Sequence, residues 1–98
     1  MITFSLDIDG TWSEDPKCFL STLNLWRSFG HEVVIVTGRE QPYDKLERLH
    51  IPCSVKIIVS GGKSKRQALT DHGYTGNIVF VDDQPGLCED SKILGGDL

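Results

Sequence analysis

Residues 2–11 read Ile2-Thr3-Phe4-Ser5-Leu6-Asp7-Ile8-Asp9-Gly10-Thr11. The apolar run from Ile2 to Ile8 predicts a buried strand that runs into acids at its carboxyl end. In an extended segment, residues two apart point the same way, so Asp7 and Asp9 are placed to serve one site. Gly10 permits a backbone turn that a side chain would block, and Thr11 adds a hydroxyl beside the acids.

Outward from this stretch, short apolar runs alternate with helix-like segments. Asp15-Pro16 supplies an N-cap followed by proline at the first helical position. Phe19, Leu20, Leu23 and Trp26 follow at three- and four-residue spacing, and Gly30 is placed to end the helix. Glu32 to Thr37 contains Val33-Val34-Ile35-Val36, a second buried strand. Gln41-Pro42 opens another predicted helix with Leu46 and Leu49 inside, broken at Ile51-Pro52. Val55 to Val59 is a third strand, Ser60-Gly61-Gly62 a turn, and Lys63 to His72 a helix ended by Gly73. Ile78 to Val81 is the fourth strand. Gln84-Pro85-Gly86 is a tight turn, and Ile93-Leu94 a short last strand.

Strands alternating with helices predict an α/β fold: a three-layer, Rossmann-like sandwich around a mainly parallel sheet. The near-continuous apolar strands fit a sheet covered on both faces. A chain of 98 residues holds one such domain, residues 1–98, with a thin core. In these folds ligands bind beyond the carboxyl ends of the strands. Three strand ends carry polar chemistry there: Asp7 and Asp9, then Thr37, Gly38 and Arg39, then Asp82 and Asp83.

Four carboxylates meeting at that rim repel one another. Two like charges about 4 Å apart cost roughly 1 kcal/mol in water and roughly 4 at an effective dielectric near 20. A hard cation relieves the repulsion; all-oxygen ligation suits Mg²⁺, and the lack of histidine or cysteine in the cluster disfavours zinc. Mg²⁺ in turn draws phosphate oxygens. Thr37 offers a hydroxyl and an N–H to such an oxygen, and Gly38 lets the backbone approach. A lysine at a helix start, Lys65 or Lys63, offers a positive charge, with Lys65 favoured by its spacing to Leu69; Lys63, Lys65 and Arg66 together can steer an anion. Arg39 has two readings, a surface pair with Glu40 or Asp44 and a substrate contact. Trp12 also has two, an aromatic stacking surface at the site and a core residue. His31, His50 and His72 fall near helix ends and read as surface or capping residues.

The net charge of −4 argues against broad nucleic-acid binding. Three widely spaced cysteines, Cys18, Cys53 and Cys88, read as reduced thiols and point to a cytoplasmic protein. No apolar run approaches the roughly 20 residues of a membrane helix, so no membrane partner is expected.

Asp7-Ile8-Asp9-Gly10-Thr11 after its apolar strand resembles the first motif of the haloacid dehalogenase (HAD) superfamily of phosphatases. Val36-Thr37-Gly38-Arg39 is similar to the second motif, Lys65 to the third and Val81-Asp82-Asp83 to the fourth, all in family order across residues 2–90. The resemblance implies a HAD-like fold and a phosphomonoesterase. Asp7 is then the nucleophile that becomes phosphorylated, and Asp9 the general acid/base. Asp7, the backbone carbonyl of Asp9 and Asp82 hold Mg²⁺ with help from Asp83, and Thr37 and Lys65 bind the phosphoryl oxygens. Gly10, Thr11, Gly38, Arg39 and Lys63 line the substrate side.

Trp12 to Asp15 and Ser60 to Gly62 are too short to hold the cap domain that family members often carry. The expected phosphorylated substrates therefore include macromolecules and nucleotides. The competing reading is a catalytically weak, HAD-like module that binds Mg²⁺ and phosphate or regulates. A phospho-accepting receiver domain fits poorly, because its modified aspartate follows the third strand and here Ser60-Gly61-Gly62 stands in that place.

Overall fold

The computed structural model describes residues 1–39 and 49–88; the helix expected from Gln41-Pro42 and the strand at Ile93-Leu94 lie outside them. The described chain runs β1 (Ile2–Leu6), α1 (Pro16–Ser28), β2 (Glu32–Thr37), β3 (Lys56–Val59), α2 (Lys65–Asp71) and β4 (Asn77–Val81). The four strands form one sheet in the order β3-β2-β1-β4, and every pairing is parallel.

Alternation along the strands sends side chains to two separate layers. Leu6 and Ile8, with Val33 and Ile35 of β2, pack with Leu23 of α1, and Phe4, Phe19, Leu20 and Trp26 close over them. On the opposite face, Val34, Val36 and Ile58 pack with Ala68 and Leu69 of α2, flanked by Ile78 and Phe80. Among the described residues one helix thus covers each face, which is why β2 is buried along almost its whole length.

Local chemistry sets the helix ends. The Asp15 carboxylate accepts the Cys18 N–H at 3.2 Å and Pro16 occupies the first turn, a cap worth about 1 kcal/mol. Gly30 follows the end of α1 with φ +84°, a conformation that only glycine adopts freely. The second helix begins at Lys65 rather than at Lys63, because the Ser64 hydroxyl caps it by accepting the Gln67 N–H at 3.1 Å. Strand β1 stops at Leu6, two residues before the predicted end: the Trp12 N–H and the Thr11 and Ser13 N–H groups turn back onto the carbonyls of Asp7 and Ile8.

Trp12 belongs to the core. It is fully buried, and its indole N–H donates to the Leu49 carbonyl at 2.6 Å, so it offers no stacking surface to a ligand. Trp26 stacks face to face on Phe4, with ring centroids 3.9 Å apart. Next to it His31 Nδ1 accepts the Ile2 N–H at 3.0 Å and ties the start of β1 to the end of α1. No helix among the described residues is long and apolar enough to cross a membrane.

The strand order positions the site. From β1 the chain steps outward to β2 and β3, then returns to the other side of β1 to form β4. Right-handed crossovers in opposite directions place their helices on opposite faces, and a crevice opens where the direction reverses. That point lies between β1 and β4, beyond Leu6 and Val81, which are partners in register.

Candidate functional site

Asp7 follows the last residue of β1, and Asp82 the last residue of β4, its neighbour at the edge of the described sheet. Because Leu6 pairs with Val81, the two aspartates emerge side by side, and the Asp7 N–H donates to the Val81 carbonyl at 3.1 Å. Asp83 is the next residue, and the Thr11 hydroxyl lies 3.5 Å from its Oδ1. Asp7, Asp82 and Asp83 each present a carboxylate oxygen to a common point, with the three oxygens within 4.8 Å of one another.

Lys65 enters this cluster from the first turn of α2. Its Nζ lies 2.9 Å from Asp7 Oδ1 and is also hydrogen-bonded to Asp82 Oδ2, and its side chain is only 3% exposed. Burial pushes the Asp7 carboxyl above its usual range, and the Lys65 ammonium only partly offsets this. Burial likewise pulls Lys65 down, but its bonds to Asp82 and Asp7 outweigh that and hold the ammonium above its ordinary value. Both directions report one imbalance: three carboxylates face one cation.

That imbalance suits a bound cation. Two negative charges remain uncompensated, all donors are oxygen, and no histidine belongs to the group. Gly10 provides a second sign. A Cβ there would lie 2.3 Å from Asp83 Oδ2, at a φ of +79°, so only glycine lets Asp83 come in over the loop. We expect Gly10→Ala to displace Asp83 and weaken divalent-cation affinity by about tenfold, which is about 1.4 kcal/mol; calorimetric titration measures it, and unchanged affinity would remove Asp83 from the ligand set.

The expected convergence of four carboxylates requires correction. The Asp9 carboxylate stands outside the cluster, because Arg39 holds it by two bonds, Nε to Oδ2 at 2.8 Å and Nη2 to Oδ1 at 2.6 Å. The same guanidinium keeps the Asp9 carboxyl below its usual range, so it is ionised at neutral pH. The other partners considered for Arg39, Glu40 and Asp44, lie outside the described residues.

The remaining candidates divide. Thr37 is 1% exposed at the end of β2, and its hydroxyl accepts the Arg39 N–H at 3.1 Å. Gly38 is exposed, with open space where a Cβ would point. Lys63 is not drawn to the acids; its ammonium pairs with Asp71 at 2.6 Å on the surface of α2. The Arg66 guanidinium sits over the Phe80 ring at 5.2 Å. His72 sits at the C-cap of α2, its ring nitrogen 2.8 Å from the Ala68 carbonyl.

Cys88 is a neighbour of the site that its sequence position did not reveal. It is buried, its Sγ lies 3.5 Å from Asp82 Oδ2, and burial followed by the Asp82 charge pushes the thiol up to about 12. It therefore stays a protonated donor. Its carbonyl accepts the Arg66 N–H at 2.8 Å, which ties the segment after β4 to α2. A lone cysteine six residues beyond Asp82 carries no local signal for this.

No protein-family model, no curated protein and no solved structure matches this chain.

Proposed function

We propose that this chain is a small, HAD-like, Mg²⁺-dependent phosphohydrolase without a cap domain, working through an aspartyl-phosphate on Asp7. The observation that carries the reading is the junction of β1 and β4, where Asp7 and Asp82 lie side by side with Asp83 and share the buried ammonium of Lys65. A nucleophilic carboxylate beside a cation-binding acid pair and a fixed positive charge suits attack on a phosphate ester.

Asp7, Asp82 and Asp83 would hold the ion, with the Asp9 carbonyl as a further ligand. The ion would neutralise phosphoryl charge and orient the ester. Asp7 then attacks phosphorus, the ester oxygen leaves with its electron pair, and the leaving group takes a proton from Asp9, when that carboxyl carries one, or from solvent. Water hydrolyses the aspartyl-phosphate, giving up its proton to Asp9 and restoring Asp7. Lys65, the backbone at Gly38 and the Thr37 hydroxyl are suited to the phosphoryl oxygens, with Gly10 and Thr11 shaping the loop beside them. Paired with Arg39, Asp9 is ready to accept a proton from water; donating to the leaving group requires that it first carry one.

That pairing also favours a second reading, a module that binds Mg²⁺ and phosphate but turns over slowly. A panel of phosphate monoesters, from aryl phosphates to nucleotides and phosphopeptides, assayed with and without Mg²⁺, separates the two. The enzyme reading expects Mg²⁺-dependent release of phosphate, fastest for aryl esters, whose leaving groups need no proton. Mg²⁺ binding without turnover on any member would replace it with the second.

A further inference from the structure

Asp9 is two residues from Asp7, yet its carboxylate lies outside the group formed by Asp7, Asp82 and Asp83. Both Asp9 oxygens are held by the Arg39 fork, at 2.8 Å and 2.6 Å. A two-point contact fixes the plane of a carboxylate as well as its place, which a single ammonium does not. The fork has a firm base: the Arg39 N–H is bonded to the buried Thr37 hydroxyl at the end of β2. The side chains of the pair are 29% and 60% exposed, and exposed ion pairs add little to stability. Holding the fold together is therefore a poor account of a bidentate link thirty residues long in sequence.

We propose that Arg39 is a positioning residue for Asp9: it holds that carboxylate out of the acidic cluster and aims it at the position of the reacting ester. Without the fork, Asp9 swings back toward Asp7 and becomes a fourth carboxylate for the cation. Asp9 is then spent as a ligand and lost as a proton carrier. The kinetic part of this role rests on the phosphohydrolase reading; the metal part does not need turnover.

The test is a double-substitution cycle on the full chain with Arg39→Ala, Arg39→Lys, Asp9→Asn and the pair Asp9→Asn with Arg39→Ala. On an aryl phosphate, Arg39→Ala should lower kcat by about 10- to 100-fold while KM stays within about twofold. Arg39→Lys should fall between, since it keeps the charge but not the fork. Adding Arg39→Ala to Asp9→Asn should cost nothing more. By calorimetry, Arg39→Ala should bind Mg²⁺ several-fold more tightly than the wild type, and the doubly substituted protein should match Asp9→Asn. A rise in KM with kcat retained, or an equal loss in the Asp9→Asn background, would make Arg39 a substrate ligand and overturn the proposal. A wild type that binds Mg²⁺ but hydrolyses nothing sinks the phosphohydrolase reading alone, and calorimetry then decides Arg39. If Arg39→Ala matches the wild type in both measurements, the positioning role is wrong.

Discussion

Asp7→Asn is expected to lower phosphate-ester turnover by at least about 10³-fold, since an amide of the same shape is no nucleophile toward phosphorus and losses of this order follow removal of an attacking group. The fold should survive the change. Lys65 keeps its bond to Asp82, and the substitution relieves the excess negative charge that the three carboxylates place around one ammonium. A denaturant midpoint at or above that of the wild type, together with lost turnover, is the expected pair of results. The measurement is initial rate on an aryl phosphate with Mg²⁺ in excess. Undiminished rates in the purified variant would take the nucleophile role from Asp7.

Lys65→Met should do the opposite, harming the fold before any chemistry is tested. The side chains of Lys65 and Asp82 are each 3% exposed, and that of Asp7 is 11% exposed. Removing the cation strands carboxylates that water reaches poorly. Breaking a buried pair in this way typically costs about 3–5 kcal/mol. A domain of this length has only about 5–15 kcal/mol in total, so the metal-free variant should unfold at a much lower urea concentration. Millimolar Mg²⁺ should recover much of the loss, because a cation bound only by the folded state stabilises it in proportion to the logarithm of its concentration. Lower pH should help as well: the Asp7 carboxyl is raised in the folded state by burial, so its contribution to stability is present when it is protonated and lost as pH rises. Urea unfolding at neutral pH with and without Mg²⁺ measures the effect. A metal-free variant as stable as the wild type would mean that Lys65 does not hold the cluster together.

Much of this arrangement was legible in the sequence because it depends on local rules. Apolar runs such as Val33-Val34-Ile35-Val36 identify buried strands, Asp15-Pro16 marks a helix start, and the Asp7 and Asp82 segments announce themselves as acids at strand ends. The expected helix start at Lys63 passes over the Ser64-x-x-Gln67 spacing, a capping signal that puts Lys65 inside the helix and Lys63 outside it. The strand order was not legible in the same way. Apolar patterning says which residues are buried, not which strands are neighbours, so the pairing of Leu6 with Val81 has no local trace. The Arg39–Asp9 link and the place of Cys88 against Asp82 also join residues distant in sequence or lacking any motif. Trp12 follows the site loop directly, where an exposed and a buried ring leave the same local pattern; only the Leu49 carbonyl, 37 positions away, decides between them.

The place of β4 beside β1 has a bearing on how the protein matures. Among the described residues β4 hydrogen-bonds to no strand but the first, so one wall of the crevice is made early in synthesis and the other late. A nascent chain can form the β1-α1-β2 unit while two of the three clustered acids, Asp82 and Asp83, are still inside the ribosome. Long-range parallel pairing of this kind is slow, because the connecting loop must close before any contact rewards it. On the proposed metal site, cation capture by Asp7 and Asp82 would report the last stage of folding, and a fragment cut before Asn77 should retain helix signal yet bind no ion.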